Sequence, residues 1–222
     1  MKFRLPKCLL FDLDGTILDS LPGIVFGVHE ACRSVGLPEP KVDLRLLLGP
    51  PIKTILSKAA ATDDPFLLDR LERSFRASYD SEGWQKNSCF DGASETLAAL
   101  HAQHHRLFIV SNKPRHISVR ILEHEGLLPM FERIYTRDSR IPPWVSKEEI
   151  LLGFLTENHL RSADCLMVGD TMEDAEAAAA TGMDFIFMNH GYGQLRNTHS
   201  CYFVLDNFSQ FLALITREPV LD

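Results

Sequence analysis

The chain has 222 residues, 45% hydrophobic and 24% charged, a balance that fits one sizeable domain or a core domain carrying a smaller insertion and excludes a disordered chain. Its 30 acidic residues outnumber 23 basic ones for a formal net charge of -7, which argues against DNA or RNA as a partner but leaves room for a pocket that binds a small phosphorylated molecule. The apolar run CLLF near the N-terminus is too short for a signal core, no segment reaches the length of a bilayer span, and the scattered Cys8, Cys32, Cys89, Cys165 and Cys201 form no CxxC pair; we therefore expect a cytoplasmic protein that meets no membrane.

The first predicted element is the strand in CLLFDLDG (8–15), an apolar run that stops at two aspartates. On extended backbone, side chains two residues apart point the same way, so Asp12 and Asp14 face one point beyond the strand's carboxyl end. Open α/β sheets bind ligands at that end. Two anions held together raise one pKa unless a cation intervenes, so the pair implies a shared proton or a metal.

Residues 17 to about 88 contain no convincing strand, but SLPGIVFGVHEACRSVG and DPFLLDRLERSFRASY are amphipathic. This pattern predicts a helical insertion that caps the strand ends; helices packed on the sheet as part of one layer are the alternative that periodicity leaves open. Gly49, Pro50 and Pro51 make a stiff turn suited to face a substrate. Lys53, Arg73 and Arg76 are candidate anion contacts, although helical charges of this kind are more often solvated.

From FDGASETL onward, helical patterns (93–103, 116–126, 146–159, 173–182 and 207–218) intersperse with buried strand runs: LFIVSN (107–112), CLMVGD (165–170), DFIFMN (184–189) and YFVLD (202–206). The expected fold is α/β, a doubly wound parallel sheet with a Rossmann-like core and an inserted α-helical cap. Residues 1–16 and 89–222 form the core in this reading, and 17–88 the cap.

Strand ends collect the remaining chemistry. Asp170 follows CLMVG and Asp174 lies four residues on, near a helix start, so in a parallel sheet Asp12 and Asp170 emerge at one edge. A single aspartate is usually a turn former or N-cap; four at strand ends point to an oxygen-rich site for Mg²⁺. Ser111 and the Asn112 amide, after LFIV, offer donors for a phosphate, with Lys113 and Lys147 competing for the cationic role. Trp84 and Trp144 read as packing residues, Tyr192 as a residue of the site entrance or of a loop whose glycines serve only a tight turn, and the scattered histidines lack metal-ligand spacing.

These pieces together resemble the haloacid dehalogenase-like hydrolase superfamily: DLDGT (12–16), Ser111, Lys147 or Lys113, and GDTMED (169–174), in the right order over nearly the whole chain. DSLPGI, the LLGPP loop at 47–51, FDGASETLAAL at 90–100 and NHGYGQ at 189–194 look like its phosphoglycolate phosphatase and 5'-nucleotidase branch. Many relatives carry the third-motif lysine in KPxP, where this chain has PPWVSKEEIL; a shorter lysine-plus-apolar version also occurs in the branch and assigns Lys147, with Lys113 the alternative.

The resemblance implies a Mg²⁺-dependent phosphomonoesterase acting on a small phosphorylated metabolite, phosphoglycolate- or nucleotide-like. Asp12 attacks phosphorus to form an aspartyl-phosphate, and Asp14 serves as general acid and then general base. Mg²⁺ is held by Asp12, the Asp14 backbone carbonyl, Asp170 and, directly or through water, Asp174. Ser111, Asn112 and Lys147 bind the phosphoryl oxygens. A phosphosugar mutase would use the same aspartate pair. A non-catalytic phospholigand-binding protein is the reading from another class, and the intact acidic set speaks against it.

Overall fold

The structure is a computed structural model that describes residues 5–194 and 203–216. Cys201, Tyr202 of the last predicted strand and residues 217–218 of the last predicted helix lie outside the described residues.

The chain opens with β1 (Cys8–Phe11), then the two-residue β2 (Leu18–Asp19), helix α1 (Leu21–Ser34), a 3-10 turn at Leu44–Leu47, α2 (Ile52–Ala60), α3 (Pro65–Ser81) and β3 (Ser88–Cys89). There follow α4 (Ala93–Ala102), β4 (Arg106–Ser111), α5 (Arg115–His124), β5 (Arg133–Thr136), α6 (Lys147–Asn158), β6 (Cys165–Gly169), α7 (Met172–Thr181), β7 (Asp184–Met188), β8 (Phe203–Leu205) and α8 (Phe208–Thr216).

Six strands form one parallel sheet in the order β5-β4-β1-β6-β7-β8. The order reverses at β1, which pairs with β4 on one side and β6 on the other, and such a switch point opens a crevice at the carboxyl ends of the strands. Every residue of β1 is buried because both sheet faces are covered. Leu9 and Phe11 join the core with α4, α5 and α8, whereas Cys8 and Leu10 join Phe108, Ile150, Phe154 and Ala178 on the α6 and α7 side.

Helix ends follow local chemistry. Ser146 accepts from Glu149 N at the start of α6, Thr171 and Asp174 form a reciprocal capping box on α7, and Gly182 takes a left-handed C-cap with φ 72°. Trp144 fills the face of α6 against Gly153, where even a methyl group would collide with the indole, and Trp84 is likewise buried.

The strand β5 is absent from the sequence reading. It is a four-residue edge strand whose first residue, Arg133, is exposed, so RIYT lacks the long apolar run that marks its neighbours. The ribbon β2–β3, antiparallel with Leu18 opposite Cys89, is too short for any periodicity. It forms the neck through which the chain enters and leaves the α1–α3 helices. These helices pack mainly on each other, α1 against α3, through Ile24, Val28, Leu71 and Phe75.

Candidate active site

Asp12 directly follows β1 and its backbone N–H continues the sheet by donating to Val168 O at 2.9 Å. The side chain is therefore carried by the most central strand and is 6% exposed. Its Oδ1 lies 3.3 Å from Lys147 Nζ as an ion pair but receives no hydrogen bond. Burial raises the Asp12 carboxyl well above the usual carboxylate range; Lys147 opposes that, and Asp174, Asp170 and Asp14 add to it.

Asp170, at the end of β6, is fully buried. Thr16 Oγ1 donates to its Oδ1 at 3.0 Å and Tyr192 N to its Oδ2 at 2.8 Å. Burial, then Asp174, push its pKa up to about 7 against those donors. Glycines make the packing around it possible: a Cβ on Gly15 would sit 2.3 Å from Asp170 Oδ2, and one on Gly191 2.3 Å from Asp170 Cβ. Gly15 also has φ +83°, a conformation that glycine adopts without strain.

Asp174 has both oxygens engaged. Lys147 Nζ donates to Oδ1 at 2.5 Å, and Thr171 donates to Oδ2 from its hydroxyl at 2.6 Å and its backbone N–H at 3.0 Å. Lys147 itself is 2% exposed at the first residue of α6, so this helix start delivers an ammonium between two carboxylates. Burial works to discharge it, but Asp12, Asp174 and Glu173 hold it charged, above the ordinary lysine range.

Asp14 lies apart from this group. Carboxylate oxygens of Asp12, Asp170 and Asp174 come within 4.8 Å of one another, and the Asp14 carboxylate is not among them; it is instead gripped by Lys113 Nζ at 2.8 and 2.9 Å. The two candidate lysines thus serve different aspartates. Ser111 ends β4, buried, with Oγ accepting from Lys113 N at 3.2 Å. Asn112 donates through Nδ2 to Glu173 Oε2 at 2.9 Å, and its buried Oδ1 has no hydrogen-bond partner.

Asp12, Asp14, Ser111, Asn112 and Lys113 line one cavity, covered by residues of α1, α2, α3 and the Gly49–Pro51 turn. Of the three cap cations singled out in the sequence, only Arg76 lines it. Lys53 pairs with Asp69 at 2.5 Å, and Arg73 borders an outer groove with Phe66 and Asp69.

Tyr192 lines the cavity too, and it does more than its position in a GYG loop suggests. Its hydroxyl accepts from Ser20 N at 2.6 Å and Leu21 N at 2.9 Å and donates to Asp19 Oδ1 at 2.8 Å, so it caps α1 from the core. Arg45 reinforces the contact by donating to Gly191 O at 2.9 Å. No feature of the local sequence announces these contacts, since the partners lie more than 140 residues apart.

The donor set fits a hard divalent cation. Three buried carboxylates face one lysine, which leaves negative charge uncompensated, and Asp12 Oδ1 is a buried acceptor without a donor. All the available donors are oxygens, the preference of Mg²⁺.

A doubly wound parallel sheet with clustered aspartates at its switch point defines an α/β protein with a ligand site at the carboxyl ends of its strands. The chain belongs to the haloacid dehalogenase-like hydrolase family, whose pattern matches residues 9–188. It is similar to the phosphoglycolate phosphatase of Vibrio vulnificus, 30% identical over 220 residues that cover 94% of this chain and 96% of that one. It is also similar to the tyrosine-protein kinase PtkA of Mycobacterium tuberculosis, 34% identical over 193 residues covering 85% of this chain; the match spans only 64% of the kinase. Among solved structures, a haloacid dehalogenase-like family protein from Streptococcus pneumoniae superposes with a TM-score of 0.84 at 21% identity, covering 94% of this chain and 97% of its own.

Proposed function

We propose that the protein is a Mg²⁺-dependent phosphatase that hydrolyses a small phosphomonoester by way of an aspartyl-phosphate on Asp12. The observation that carries this reading is the separation of the two aspartates. Asp12, buried beside Lys147 with an oxygen that takes no hydrogen bond, and Asp14, held by Lys113, share one cavity. This supports a division of labour in which one carboxylate attacks and the other moves a proton.

In this reading Asp12, Asp170 and the Asp14 backbone carbonyl would hold the Mg²⁺, with Asp174, which also holds Lys147, in support directly or through water. The bound ion supplies positive charge that keeps Asp12 ionised and draws an anionic ester to it. Asp12 attacks phosphorus in line; Asp14 gives a proton to the departing oxygen and later takes one from the attacking water. Ser111, the Asn112 amide and Lys147 bind the phosphoryl oxygens as their charge shifts. The helices of residues 17–88 act as a cap that excludes water from the aspartyl-phosphate during its formation.

Phosphate release from a panel of phosphorylated metabolites tests the reading, with phosphoglycolate and nucleoside monophosphates as the first candidates. Release that requires Mg²⁺ and disappears in Asp12→Asn is expected. Wild-type turnover in Asp12→Asn would sink it.

A further inference from the structure

The cavity above Asp12 is small, and the cap supplies its far side. About 70 Å³ of it is open to water centres, room for roughly five to seven waters at about 10–15 Å³ each on this measure. A phosphoryl group with a short two- or three-carbon body matches that space, whereas a nucleoside is too large for it.

Among the described residues that line the cavity, the cap contributes an apolar wall that includes Ile24, Ile55 and Phe75, and two polar side chains, Arg76 and Tyr79. Both can donate, and neither is a carboxylate or carboxamide. The Tyr79 hydroxyl accepts from Asn87 Nδ2 at 2.7 Å, which leaves its own proton for another acceptor. Ile52 opens α2 at the same wall, and its N-cap Pro51 makes no side-chain hydrogen bond, so the backbone there presents donors as well.

Arg76 is the cation free to change partners. Lys113 is committed to both oxygens of Asp14, and Lys147 to Asp12 and Asp174. The ion pair of Arg76 is with Glu72, one turn away on α3, at 3.4 Å and with both side chains 32% exposed. A pair of that kind contributes little. Arg76 also borders the outer groove with Phe66 and Asp69, so it stands between solvent and the cavity. A short acid entering with the phosphate brings an anion to a guanidinium that gives up little to receive it. A sugar instead brings hydroxyl donors to side chains that are donors or carbon, and a buried hydroxyl without a partner weakens binding.

We propose that Arg76 is a specificity-determining residue that binds a carboxylate on the leaving group, so that the substrate is the phosphate ester of a short hydroxy acid rather than of a sugar, a nucleoside or a plain alcohol. This rests on the phosphomonoesterase reading above and narrows it from the side of the cap.

The test compares phosphoglycolate, with Mg²⁺ present, against its neutral carboxamide and isobutyl phosphate, which match its size without its charge, and against adenosine monophosphate. The expected kcat/KM favours phosphoglycolate over each by about tenfold or more, as a hydrogen-bonded charge allows. Arg76→Gln is expected to cut the ratio of phosphoglycolate to its carboxamide by about tenfold, chiefly through KM. Arg76→Lys, which keeps the charge without the planar fork, is expected to cut it less. A neutral ester or the nucleotide equalling phosphoglycolate on the wild type, or the ratio surviving Arg76→Gln, would overturn the inference and leave the phosphatase reading standing. Absence of release from every ester would remove both.

Discussion

Lys113 Nζ lies 2.8 Å from Oδ1 and 2.9 Å from Oδ2 of Asp14, so one ammonium spans both oxygens of a carboxylate 99 residues away in the chain. Burial works against the charge on Lys113, but Asp14 and Tyr79 beside it keep its pKa above the usual lysine range. It is a fixed cation that aims Asp14. Lys113→Met is expected to lower kcat about 100-fold, the low end of what a positioned acid–base group contributes, with KM nearly unchanged. The same substitution in an Asp14→Asn background should cost little more. A rise in KM matching the loss in kcat would instead make Lys113 a phosphate ligand.

Lys147 is the only cation whose ion pairs reach Asp12 and Asp174 among the described residues. Lys147→Met leaves those buried carboxylates unmatched, which should cost about 3 kcal/mol of stability, the lower range for breaking a buried ion pair. Mg²⁺ should return part of the loss by supplying charge at the same place. Urea unfolding with and without Mg²⁺ measures both effects, and an unchanged midpoint in metal-free buffer would contradict the account.

Asp170 sets a pH dependence whose sign is fixed by the direction of its shift. Its carboxyl is lifted from the ordinary 3.8 to about 7, chiefly by burial. Between those values the folded metal-free protein binds more protons than the unfolded chain, so the stability this group contributes is full below 3.8 and is lost as pH rises through about 7. Mg²⁺ binding, which needs the carboxylate, should release protons below pH 7 and few well above it. Calorimetry in buffers of different ionisation enthalpy counts them; equal release at pH 6 and pH 9 would be incompatible with this picture.

The Tyr192 hydroxyl offers a separate check on how the helices are fastened to the core. Tyr192→Phe keeps the ring but leaves Ser20 N, which is buried, without its acceptor. A loss of about 2 kcal/mol is expected, within the cost of an unsatisfied buried donor. Chemical denaturation of the two proteins side by side measures it, and equal stability would mean that α1 finds another cap.

The strands that build the sheet were legible wherever both faces are covered, because CLLF, LFIV and CLMVG then consist almost entirely of apolar residues. The emergence of Asp12 and Asp170 at one edge followed from the parallel order alone, whereas the adjacency of their strands is seen only in the structure. The partition of lysines did not: Lys113 and Lys147 look alike in sequence, and only the paths of α5 and α6 decide which aspartate each reaches. Likewise, DGASE and GYGQ carry turn residues that any loop could use. The Tyr192 bond to α1 and the Asn112 bond to Glu173 depend on tertiary approach, for which periodicity contains no record.

The neck of the helical layer starts very close to the chemistry. Asp12 closes a strand locked between β4 and β6, whereas Asp14 is bridged to Leu18, the first residue of the ribbon that carries the helices. One member of the aspartate pair is thus moored to the bedrock of the fold and the other to its drawbridge. We expect a movement of that ribbon to reach Asp14, whose carboxylate Lys113 also holds from the core, before it reaches Asp12.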